Sequence, residues 1–136
     1  MAAIRISVAT VAAYVGLSIF GFSAHAADFT GGWATDASKC AKIFVKSGGK
    51  ISFTDDSEIY GSGLIVDANI IRGKIATCAI KSRKEVGAIT HFILECSTDI
   101  AFQTVQFSVR IDGDNKITRL FPGLPELSTS YFRCPL

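Results

Sequence analysis

Four cysteines, Cys40, Cys78, Cys96 and Cys134, are the residues of this chain best suited to covalent chemistry, and their spacing narrows what that chemistry is. No Cys-x-x-Cys pair occurs, whereas a structural zinc site usually draws its ligands in close pairs. A cysteine nucleophile needs a base beside it, and after residue 26 the only imidazole is His91. An even cysteine count in a short exported chain points instead to two disulfides made in an oxidising compartment.

Other catalytic sets are sparse. Neither Gly-x-Ser-x-Gly nor His-Glu-x-x-His occurs, and no glycine cluster follows a strand as a phosphate-cradling loop would. Asp55, Asp56 and Glu58 could supply a glycosidase's two carboxylates, but a polar turn accounts for them better. Asp112-Gly113-Asp114-Asn115 lacks the alternating ligands and closing Glu of a calcium loop, and its flanks read as a hairpin. The sequence therefore nominates no catalytic residue, no metal and no cofactor, and a non-enzyme is expected.

The elements that carry the cysteines are strands. In Lys74–Lys81, Ala76, Cys78 and Ile80 share a face; in Thr90–Cys96, Phe92, Leu94 and Cys96 do. Folding the two about Gly87 sets Cys78 opposite Cys96, where Cβ atoms stand ~4.5–5.5 Å apart, close to disulfide reach. His91 falls on the opposite face and is expected to meet solvent. Cys40 is left to pair with Cys134. That bridge closes a loop of nearly the whole domain, worth ~4–5 kcal/mol in the chain-entropy model.

The rest of the chain continues the pattern. Phe29–Ala34 reads as a first strand, followed by a helix capped by Asp36 and running to about Val45, before Gly48-Gly49. Lys42–Val45 reads equally well as strand. Lys50–Thr54 and Leu64–Asp67 alternate. Thr104–Ile111 places Val105, Phe107, Val109 and Ile111 on one side and Thr104, Gln106, Ser108 and Arg110 on the other, one face for a core and one for water. Lys116–Phe121 returns after the Asp112–Asn115 turn, and Ser130–Cys134 closes the chain. Asp55–Glu58 and Lys81–Lys84 read as solvated turns. The expectation is a mainly β fold, a single antiparallel meander of about seven or eight strands forming a small barrel or sandwich, with at most one short helix and two disulfides.

Met1–Ala26 has the order of a cleavable signal peptide: Arg5, an apolar run from Ile6 to Phe22, then Ala24-His25-Ala26 as a small-x-small exit. Residues 27–136 then form one β domain, periplasmic or secreted. Of 14 basic and 12 acidic residues the leader holds only Arg5, so the product is nearly neutral and gives no electrostatic reason to bind nucleic acid or an anionic membrane.

Gly31-Gly32-Trp33 on the first strand, with Arg133 on the last, resembles the lipocalin-type (calycin) signature, a Gly-x-Trp whose indole packs against a basic residue of the final strand. The spacing of Trp33, the four cysteines and a terminal Arg-Cys-Pro is also similar to small exported bacterial proteins of unassigned function. The resemblance implies a lipocalin-like barrel with structural roles for Gly31, Trp33 and Arg133. Calycin-fold metalloprotease inhibitors share the Gly-x-Trp and a nearby cysteine, but this chain differs in cysteine number and in its N-terminus. Read from the residues alone, Trp33 is a core lid and Arg133 its cation–π partner, a contact worth ~0.5–2 kcal/mol.

Phe121, Leu124 and Leu127, around Pro122 and Pro125, form the candidate binding loop, an apolar stretch that either stands exposed or folds down over an open barrel end, the second accounting for it better. The functional expectation is a non-catalytic exported module that recognises a protein or small apolar ligand through loops at a barrel end. Alternatives are a calycin-type protease or hydrolase inhibitor, and a hydrolase using surface carboxylates.

Overall fold

A computed structural model describes residues 26–136. The signal-peptide reading falls, apart from Ala26, outside the described residues. Ten strands form: β1 (Gly31–Ala34), β2 (Phe44–Ser47), β3 (Lys50–Phe53), β4 (Gly63–Asp67), β5 (Ile70–Arg72), β6 (Thr77–Val86), β7 (Ile89–Ser97), β8 (Phe102–Gly113), β9 (Lys116–Leu120) and β10 (Thr129–Arg133), with one short helix, α1 (Cys40–Ile43). β1 and β4–β10 close into an antiparallel barrel in which β10 returns to β1, so the structure selects the barrel over the sandwich. Closure leaves the barrel without an unpaired edge strand, while β2 and β3 pair only with each other, as a hairpin outside it.

The barrel interior is packed. Trp33, Leu94, Phe107, Val109, Ile117 and Tyr131 belong to one buried cluster inside it. Both disulfides form, Cys78–Cys96 within that cluster and Cys40–Cys134 outside it. Cys78 and Cys96 are direct register partners with Cα atoms 3.9 Å apart, and Ile80 lies opposite Leu94. A second cluster, of Ile43, Phe44, Ala34, Ile65 and the Cys40–Cys134 bridge, packs on the outer face of β1 and β4. There Gly63 leaves room for the Phe44 ring, since a Cβ on Gly63 would stand 2.7 Å from Phe44 Cζ.

Several expectations need correction. Asp36 does cap a helical turn, accepting a hydrogen bond from Ser38 N at 2.9 Å, but helix ends at Ile43 rather than Val45. Phe44 leaves the helix because its ring goes into the slot at Gly32 and Gly63, and β2 follows as strand. The first strand starts at Gly31, not Phe29. Lys81–Lys84 is no turn: it lies within β6, and the chain reverses at Gly87-Ala88, where Gly87 takes φ 60. β6 carries a bulge between Ile80 and Ser82, so Lys81 is an extra residue in the ladder. β5, three residues long, has too little sequence to show a period.

Candidate functional site

The two ends of the barrel differ. At one end lie the β5–β6 turn, the β7–β8 turn and the β9–β10 loop. Ile75 and Ile100 on the first two of these turns, and Phe102 at the start of β8, are 82, 96 and 71 % exposed, which with Ile59 makes them the least buried large apolar residues among those described. Register brings the turns side by side, since Thr77 faces Ser97 and Ser97 faces Phe102. Leu124 and Leu127 of the β9–β10 loop are also exposed, while Phe121 is half-buried beneath Arg119, whose guanidinium stands 4.5 Å from its ring centroid. The sequence thus indicated two of the five exposed side chains of this rim. Ile75, Ile100 and Phe102 sit in or beside runs that read as strand, where an apolar residue is expected to be buried.

At the other end lie the β4–β5, β6–β7 and β8–β9 turns and the N-terminal segment Ala26–Thr30. That segment crosses the barrel mouth as a strap, with Phe29 buried in edge-to-face contact with Phe92. Trp33 is 1 % exposed, and its Nε1 donates to the Phe29 carbonyl at 2.8 Å. The Arg133 guanidinium stacks 4.3 Å from the Trp33 ring centroid. It donates to the carbonyls of Asp28, Thr30 and Asp114. Gly31, at φ 130, turns the chain from strap to β1, and a Cβ there would stand 3.5 Å from Arg133 Nη1. Trp33, Arg133 and Gly31 are therefore one structural unit, which locks the N-terminal segment over the barrel.

The other chemical candidates stay apart. Asp55 and Asp56 are exposed, and Glu58 makes a 3.6 Å ion pair with Lys74. Glu58's carboxyl is held below its ordinary value by a hydrogen bond from its own backbone N–H, with Lys74 helping. Asp112 accepts from Thr118 and, at 2.7 Å, from Arg110 Nε, and those bonds lower its pKa. Asp114 meets Arg133 through its backbone carbonyl. Among the described residues, no three His, Cys, Asp or Glu side chains gather as metal ligands.

His91 corrects an expectation. It is on the outer face as read, but half-buried, with Nδ1 2.8 Å from Ser108 Oγ, its register partner on β8. A Ser–His contact invites a nucleophile reading, but Ser108 is only 2 % exposed, so its hydroxyl does not reach a substrate. The pair is a cross-strand hydrogen bond.

Among known proteins, no family model, no curated sequence and no solved structure matches this chain.

Proposed function

We propose that this protein is an exported, non-catalytic binding module that recognises a partner protein through the apolar turns at one end of its barrel. The observation that carries the reading is the exposure of Ile75, Ile100 and Phe102 at neighbouring turns. Apolar side chains held this far out on a rigid end have no folding role to explain them, and such patches mark interaction sites. The packed interior favours this rim over a small apolar ligand carried inside the barrel. Two disulfides support export to the periplasm or beyond, and the leader-like Met1–Ala26 supports it from the sequence side. The inhibitor reading gains less support, because Ala27–Thr30 is tied to its own barrel rather than projecting toward an enzyme.

A photo-crosslinker placed at Ile100 tests this reading in the native compartment, with one at the exposed Val45 of the β2–β3 hairpin as control. A discrete partner band from position 100 that is absent from position 45, and is lost when Phe102→Asp is added, is the expected result. Equal labelling from both positions, or none from either, overturns it.

A further inference from the structure

We propose that the barrel mouth at the strap end is a second binding site, built to read the backbone of an extended peptide with a large apolar side chain, and that the protein's own Ala27–Thr30 occupies it. This goes beyond the rim reading and does not depend on it. Four consecutive strap carbonyls are each taken by a side-chain donor: Ala27 by Arg83 at 2.8 Å, Asp28 by Arg133 at 2.7 Å, Phe29 by Trp33 at 2.8 Å and Thr30 by Arg133. The strap is thus held by side-chain donors on three strands, not by a β-ladder. Phe29 enters the mouth as the strap's large side chain, with the Ala27 methyl packed beside the same cluster.

Each donor also has a partner outside the strap. Arg83 is fixed by Glu85 at 2.5 Å and lies over Phe92; Arg133 is fixed by the Asp114 carbonyl at 3.2 Å and by stacking on Trp33. Trp33 belongs to β1 itself. A site whose donors are oriented in advance loses little freedom when a ligand binds. Arg and indole N–H groups only donate, so a ligand must bring acceptors in sequence, as a polypeptide backbone does.

Phe29 does not fill the mouth. An open cavity of about 270 Å³ lies on the Ile111, Ile117 and Arg133 side, and one of about 280 Å³ on the Val66, Ile80 and Arg83 side. A segment with a bulkier apolar residue, or with one more than Phe29 supplies, fits this space better than the strap does. The strap then acts as a built-in competitor that weak ligands do not displace.

The test adds the strap's own sequence in trans, as the capped peptide Ala-Asp-Phe-Thr, to the full chain and to its F29A variant, and follows quenching of Trp33, the only tryptophan. Phe29→Ala removes the competing ring but leaves all four donors. The expected result is binding at least about tenfold tighter to F29A than to the unaltered protein, because the mouth is then open to the peptide's ring, and the strap, without its own ring as anchor, yields its donors to the added backbone. A peptide with Ala in place of Phe binds neither protein. F29A carrying Arg83→Gln as well binds the Phe peptide several-fold more weakly than F29A. Should F29A fail to fold, Phe29→Leu replaces it and binds with intermediate affinity. Equal affinity for the altered and unaltered proteins, no binding to either, or equal binding of the Phe and Ala peptides overturns the proposal.

Discussion

Cys78 and Arg83 point into the same barrel although an odd number of positions separates them along β6. Strict alternation would send one of the two outward. The bulge at Lys81 changes the parity, so that Cys78 faces Cys96 while Arg83 faces Phe92 and covers the Phe29 ring at 5.0 Å. One extra residue therefore lets a single strand supply both an internal disulfide and a clasp for the strap.

Arg83→Ala should free the strap. The substitution removes a hydrogen bond to the Ala27 carbonyl and two aromatic contacts at a partly buried site, and is expected to cost about 1–2 kcal/mol. Urea denaturation measures the cost. Acrylamide quenching of Trp33 reports the strap directly, and should rise because the indole loses its cover. Unchanged quenching would mean that Arg133 and Trp33 hold the segment without Arg83.

Arg83 also marks where the sequence stopped being readable. The Cys78–Cys96 pairing follows from alternation because both strands keep a clean period around it. A bulge has no local signature in Ile80-Lys81-Ser82, so the basic run Lys81–Lys84 looked like a solvated turn. The end of α1 was similarly hidden: Lys42–Val45 suits helix or strand, and what decides is a slot made by Gly32 and Gly63, far off in the chain. Trp33 and Arg133 could be paired in advance as lid and cation. Their grip on the Asp28, Phe29 and Thr30 carbonyls could not, since it depends on the path of a segment with no secondary structure.

The two disulfides should differ in value. Cys40–Cys134 spans a sequence separation of 94 and Cys78–Cys96 one of 18. In the chain-entropy model the long closure is worth about 4.7 kcal/mol and the short one about 3. Alanine at both cysteines of a pair, compared by urea denaturation, should show the larger loss for Cys40/Cys134. All four cysteines are buried in the two core clusters, so removing either pair adds a cavity cost to its chain-entropy loss. If the short bridge proves the more valuable, packing and not chain entropy sets the order.

Acid should weaken the protein partly through Asp112. The Thr118 hydroxyl, then Arg110, donate to its carboxylate and lower its pKa below the ordinary 3.8. A carboxyl with a lowered value in the fold contributes stability that is complete above its unfolded value and disappears as pH falls through the folded one. Urea midpoints measured from about pH 5 downward should therefore fall below about pH 4. Asp112→Asn has no such proton to take up, so it should start less stable and decline less steeply. Parallel curves for the two proteins would show that Asp112 carries none of the acid response.

Gly63 and Phe44 should prove energetically coupled. Phe44 is 2 % exposed, and its ring lies over β4 where any Cβ at position 63 would stand 2.7 Å from Cζ and 3.1 Å from Ile43 Cγ2. Neither neighbour is the free end of a long side chain, so Gly63→Ala must push the ring, and with it the α1–β2 junction, off the barrel. A cost of about 1–3 kcal/mol is expected for such overpacking. Phe44→Leu alone loses ring contacts and leaves a void. Together the two changes relieve each other, because the alanine methyl enters space the ring has vacated. The double variant should be more stable than the sum of the single losses predicts by about 0.5 kcal/mol or more. Strict additivity in urea denaturation would mean that the ring does not rest on Gly63, and that another contact ends the helix at Ile43.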